Sequence, residues 1–239
     1  MIMNIPWLRK SVKFYSECPI ITDEYPIYPA RDYKRNWPRN CGKAFLKYKK
    51  VTDGRASTIS VARCPGMRNV MEEGWIVQTW HDFTIETSDD GYKVYYPTPL
   101  EEFLERIDFK HPLITSFDTN VGPMKIPTKE YFSHIFKVFI PYSFDIPKGY
   151  ELRILPIAYD DDPKFTACSG ACDGFQSDLN VHIFWHTKQG RVTIPAGTPL
   201  CQIVPVKKNI IPVELLTADN KMIEKARQRL LHKSNKFTL

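Results

Sequence analysis

The sequence predicts a mainly β protein with a few short helices and a C-terminal helix, and three observations carry that expectation. Short runs rich in β-branched and aromatic residues recur between turns built on proline and glycine. Nineteen prolines against eleven glycines favour stiff, extended connections, because proline lacks a backbone donor and resists helix interiors and central strands. Aromatic residues make up 13% of the chain, and flat rings pair well across neighbouring strands. Several short strands spaced by such turns imply a sandwich or a small barrel.

Residues 1–50 read as an extended arm, since Pro6, Pro19, Pro26, Pro29 and Pro38 interrupt every helical stretch. Trp7, Phe14, Tyr15, Tyr25, Tyr28, Tyr33 and Trp37 make it too aromatic for plain disorder. It is expected to drape over its own domain or over a neighbour. A β-rich domain follows over 51–216, and a basic amphipathic helix with a polar tail occupies 217–239.

Within the β-rich domain a helical turn is expected at Met67–Glu73, stopped by Gly74. Trp75-Ile-Val-Gln-Thr-Trp80 begins a strand that Asp82–Thr87 continues. Ser88-Asp-Asp-Gly91 has hairpin turn chemistry, and Tyr92–Tyr96 returns. Pro99 opens a short helix, Leu100–Ile107, with Glu101 and Glu102 where the helix dipole favours acids. Phe132–Ile140, Tyr150–Ile157, Asn180–His186, Val192–Ile194 and Leu200–Val206 then read as strands. In the run 180–186, Val181, Ile183 and Trp185 alternate with His182, Phe184 and His186. Thr217 is a sensible cap for the last helix, whose stripe is Met222, Ile223, Ala226 and Leu230.

Charge is unevenly spread. Residues 1–50 carry a balance of +7, residues 207–239 one of +5, and the stretch between them −6. Basic ends around an acidic body point to an anionic surface, whether an acidic protein face or a nucleic acid. The cations and ring expected to make that contact are Arg31, Lys34, Arg35, Trp37 and Arg39 in the arm, and Lys225, Arg227 and Arg229 in the helix. No stretch approaches the ~20 apolar residues of a membrane span. Arg9 and Lys10 follow the short apolar start rather than precede it, which is not the order of a secretory signal. Cys18, Cys41, Cys64, Cys168, Cys172 and Cys201 are too sparse for a disulfide scaffold and are expected reduced.

No catalytic centre, cofactor or metal is expected. His182 and His186 in a strand share a face but stand ~13 Å apart, too far for one ion. Cys168 and Cys172 have no second pair to complete a zinc site. Neither a G-x-S-x-G elbow nor a Gly-rich phosphate loop occurs. Asp160-Asp-Asp162 could bind a cation, although a carboxylate run before Pro163 reads first as a solvated loop.

Two stretches carry resemblances. Ile146-Pro-Lys-Gly149, Gly170-Ala-Cys-Asp-Gly-Phe175 and Ile194-Pro-Ala-Gly-Thr-Pro-Leu-Cys-Gln202 together resemble the β-clip barrel of dUTPases and dCTP deaminases. The resemblance covers about 60 residues and implies a β-clip-like body. It would make Asp173 the pocket aspartate, Phe175 the stacking ring and Gln202 the glutamine of a deoxynucleotide site. The aspartate and ring stand one residue closer than in that family. Its Pro-Arg-Ser-Gly motif is missing after Leu155, and its Gly-rich closing motif after Val206. The likeness therefore implies a fold more than an activity. The run from Cys64-Pro-Gly-Met67 through Gly74-Trp-Ile to Trp80-His-Asp-Phe-Thr-Ile85 is similar to uncharacterised tailed-bacteriophage proteins, which implies the cytoplasm of an infected host cell or the virion.

The expectation is thus a non-enzymatic binding or structural protein, a phage virion or assembly component that contacts neighbouring subunits through its basic ends, as a homo-oligomer or in a larger assembly. A second reading is a deoxynucleotide-binding protein or a diverged enzyme of the dUTPase and dCTP deaminase kind. A third gives the basic ends to nucleic acid.

Overall fold

The computed structural model describes residues 10–16, 19–37, 40, 64–106, 113–118, 131–161, 163–209 and 212–213, with 221, 222, 224, 225 and 228 near the C-terminus. The chain divides into two units, 1–208 and 209–239. In the second, residues 221, 222, 224, 225 and 228 are helical, where the sequence places its last helix.

The first unit is mainly β. Its described residues form fifteen strands in four antiparallel sheets. The core sheet joins β6 (Ile114–Asp118), β7 (His134–Ile140), β10 (Phe165–Ala167) and β13 (Leu179–Trp185) in the order β10-β13-β7-β6. Strand β13 shows why these residues choose a strand: Leu179, Val181, Ile183 and Trp185 are all buried, while the alternating Asn180, His182 and Phe184 are half-buried. A period of two puts one set on the core face and the other on the outer face. Trp185 is the pivot of that core, stacked on Phe165 and met edge-on by Phe136. Each such ring contributes roughly 1.5–3 kcal/mol on burial.

A five-stranded sheet runs β11 (Gly170–Cys172), β9 (Tyr150–Leu155), β15 (Pro199–Lys207), β3 (Trp75–Gln78), β2 (Tyr28–Pro29). Its middle strand is covered on both faces, so Leu200 to Val204 are buried without alternation. Helix α2 (Pro65–Glu72) ends beside this strand at Gly74. Only glycine serves there: φ is +73°, and a Cβ would lie 2.1 Å from the Ile203 carbonyl oxygen. A three-stranded sheet pairs β14 (Gly190–Ile194), β4 (Phe83–Ser88) and β5 (Gly91–Tyr95), with the Ser88–Gly91 turn where the sequence puts it. Helix α3 (Thr98–Arg106) follows; Ile107, the last residue expected in it, lies outside the described residues.

Two expectations are corrected. The strand anticipated from Trp75 through Thr87 is two strands in different sheets. Between them Thr79 exchanges backbone bonds with Gly197 and Thr198, and the Asp82 carboxylate accepts the Ala196 N–H at 2.6 Å. That corner clips onto the Pro195–Thr198 turn and sends the chain from one sheet into the next. The mainly β expectation holds, and among the described residues the strands fall into four sheets.

Secondly, the described part of the arm is not merely extended. Pro19 opens helix α1 (Pro19–Glu24) instead of breaking it, because the first helical N–H has no partner to lose. A 3-10 turn, Ala30–Asp32, follows β2. Upstream, β1 (Lys13–Tyr15) adds to β8 (Ser143–Asp145), which also pairs with β12 (Phe175–Gln176). The arm belongs to the first unit. Among the described residues, no helix is long and apolar enough to cross a membrane.

Candidate functional site

Asp173, Phe175 and Gln202 are not brought to one place. Gln202 is 2% exposed and faces α2. Its amide nitrogen donates to the Val70 carbonyl at 2.8 Å and the Glu73 carbonyl at 2.5 Å, and its oxygen accepts the Ala158 N–H at 3.5 Å. This side chain pins a helix end to the sheet. Asp173 follows Cys172, which lies opposite Leu152 and through it Pro205; Gln202 lies opposite Leu155. Three residues of strand separate those rows, ~10 Å. The Asp173 carboxylate instead pairs with the Lys208 ammonium, which holds its pKa below the ordinary range. Phe175 is 65% exposed.

The arm residues expected to meet a partner divide into two groups. Arg35 and Trp37 are spent inside the unit, on the loop after β9. The Arg35 Nε donates to the Ala158 carbonyl at 2.7 Å, and its guanidinium lies 4.6 Å from the Tyr33 ring centre. Burial pulls its pKa down, although a guanidinium stays charged. The Trp37 indole donates to the Tyr159 carbonyl at 2.8 Å. Asp161 accepts the Asn36 and Trp37 N–H groups at 2.7 and 2.9 Å, and Asp160 accepts the Tyr33 hydroxyl at 2.5 Å. Burial and that bond push the Tyr33 pKa up.

Two of the three carboxylates considered for a cation therefore act as a latch for the arm; Asp162 lies outside the described residues. Tyr159, just before them, takes φ +55°, a conformation unusual for a bulky residue. Arg31 and Lys34 remain exposed, and so does Lys225 in the second unit. Arg39, Arg227 and Arg229 lie outside the described residues.

The histidines and thiols have structural tasks. The His186 Nδ1 donates to the Pro163 carbonyl at 2.9 Å, which leaves Nε2 to accept from the Thr166 hydroxyl at 2.8 Å. His182 stands opposite Lys137; burial and that cation lower its pKa. His81 is buried among Trp80, Phe83 and Tyr96, and burial lowers its pKa. Burial pushes the Cys168 thiol up to about 11 and raises Cys172 and Cys201. Thiols so placed are poor nucleophiles at neutral pH. Among the described residues no three His, Cys, Asp or Glu side chains gather as a metal site would need.

Two features were missed by sequence reasoning. One is a cavity of about 540 Å³ between the arm and the five-stranded sheet, walled by Phe14, Trp75, Tyr142, Tyr150, Leu152 and Ile203. The aromatic density of the arm was the available signal; which rings converge depends on pairings between residues over a hundred positions apart. The other is an exposed face on the β1-β8-β12 sheet. Lys13, Asp145 and Phe175 stand opposite one another in one row, with Tyr15 opposite Ser143 two residues along, on the same face. Tyr15 is 49% exposed.

No family model and no curated protein matches this chain.

Proposed function

We propose that this is a non-enzymatic binding protein that works by contact with other protein subunits, as a virion or assembly component of a tailed bacteriophage. The observation that carries the reading is the face of the β1-β8-β12 sheet. It leaves two large rings, Tyr15 and Phe175, uncovered beside Lys13 and Asp145. Rings flanked by charges are the usual make-up of a protein contact. The commitment of Gln202, His81, His186, Asp160 and Asp161 to internal bonds also favours binding over catalysis. The phage setting rests on the likeness of residues 64–85, and the β-clip-like body on that of residues 146–206.

The contact surface is thereby moved from the basic ends to the β1-β8-β12 sheet. Light scattering behind size-exclusion chromatography, with mass analysis of purified particles, tests the reading. The expected result is an oligomer, or the chain in particles, lost on Tyr15→Ser with Phe175→Ser. A strict monomer absent from particles overturns it.

One observation favours a second reading, a deoxynucleotide binder. The Lys208 cation pairs with Asp173, which stands two residues before the uncovered Phe175 ring, so a phosphate partner and a stacking surface belong to one turn. Thermal shift with dUTP and dCTP decides it, because a ligand of the folded state raises the melting point. No shift with either ends that reading.

A further inference from the structure

The cavity between the arm and the five-stranded sheet takes no part in the contact proposed above. We propose that it binds a small, ring-bearing organic anion. Its volume, about 540 Å³, falls within the roughly 300–1,000 Å³ of sites that enclose small molecules. The sheet lines it through Leu152 and Ile203, and the rings of Phe14 and Tyr142 line it from outside that sheet. Trp75 and Tyr150 add two more rings, and Trp75 is still 42% exposed although it lines the void. Four rings around one void favour a flat, apolar guest over a sugar or a peptide.

The charge of the guest follows from the rim. The Lys10 ammonium lies 5.6 Å from the Tyr150 ring centre, at the edge of the void. Lys207 stands directly opposite Tyr150 on β15, so its stem leaves the same face of the sheet. No aspartate or glutamate is among the described lining residues. A carboxylate or sulfonate at the rim would meet two cations while its ring enters the void. The charged group need not then be buried alone, which would be costly. A cationic guest would meet repulsion at the rim.

Two fluorescent probes of similar shape test this on the full chain: anionic 1-anilinonaphthalene-8-sulfonate and neutral N-phenyl-1-naphthylamine. The anionic probe is expected to saturate one site per chain. Val12→Trp, which places an indole in the void, should abolish that site. Ser11→Trp, at an exposed lining position, replaces it should Val12→Trp unfold the chain. Lys10→Met with Lys207→Met should weaken the anionic probe about tenfold or more and the neutral one by less than about threefold, as loss of charge pairing requires. Unsaturable binding, or binding indifferent to the tryptophan variants, overturns the site. Equal weakening of both probes by the lysine pair overturns its preference for anions. Subunit contact through Phe175 is read separately by light scattering, so either proposal can fail alone.

Discussion

The N-terminal arm is fastened to its unit in two unlike ways. Residues 33–37 are held by directional polar bonds: one loop, Ala158–Asp161, accepts from Tyr33, Arg35, Asn36 and Trp37. Residues 13–15 are held by a three-residue strand and by Phe14, whose ring lies 5.5 Å from Phe144 and 6.1 Å from Tyr142. Directional bonds fix one position and bury little. Ring packing buries much and tolerates small slides. The cavity lies beneath the second attachment. A short strand backed by rings is a cover that can part for a guest, whereas the polar latch keeps the arm from leaving with it.

Both attachments presuppose the platform built by α2 and β3. The Gly74 carbonyl accepts the Ala30 N–H at 3.0 Å, so the latch side of the arm rests on that junction. Gly74→Ala combines a φ of +73° with a Cβ 2.1 Å from a backbone oxygen. It should cost about 3 kcal/mol or more in denaturant titration, the largest effect expected here. A neutral result would mean that the junction has another conformation, and the contrast would lose its common base. Phe14→Ala comes next, at about 2 kcal/mol for a half-buried ring. Its signature is selective: trypsin should cut at Lys10 and Lys13 sooner while the sites at Lys34 and Arg35 stay protected.

Much of the fold was legible because its signals are local. The alternation in β13 and the Ser88–Gly91 turn each act within a few residues, and the structure has both. The break at Thr79–Asp82 was not legible, since it depends on a turn more than a hundred residues away. Nor was the fate of the arm. Arg35 and Trp37 look alike in sequence whether they meet a partner or a loop of their own chain, and only the placement of Asp160 and Asp161 decides. Gln202 shows the same limit from the other side. A glutamine at that spacing suggests a pocket, yet its amide is used by two carbonyls at the end of α2.

Asp161→Ala breaks the latch instead of the cover. Loss of one carboxylate that accepts two backbone N–H groups should cost about 1 kcal/mol. The proteolytic pattern should invert, with faster cleavage at Lys34 and Arg35 and none gained at Lys13. Acid probes the unit beneath both attachments. Burial holds the His81 pKa below the ordinary value, so the unfolded chain takes up a proton first as pH falls. Stability is then full above about 6.5, the ordinary histidine value, and declines as pH drops towards the folded pKa. His81→Phe should flatten that dependence in melts between neutral and mildly acidic pH, without separating the two tryptic patterns.

The smallest stability effect belongs to the exposed cations on the latch side of the arm. Arg31 pairs only loosely with Asp32, at 4.0 Å, and Lys34 is exposed. Arg31→Ser with Lys34→Ser should leave stability within about 0.5 kcal/mol, as for most surface changes. The same double variant discriminates between contact surfaces. Should subunits meet through Tyr15 and Phe175, it assembles as the parent chain does, and only the ring substitutions release monomer. An assembly defect in the folded cation variant would return the contact to the arm. The latch would then hold those side chains out for a partner, and the exposed sheet face would need another occupant.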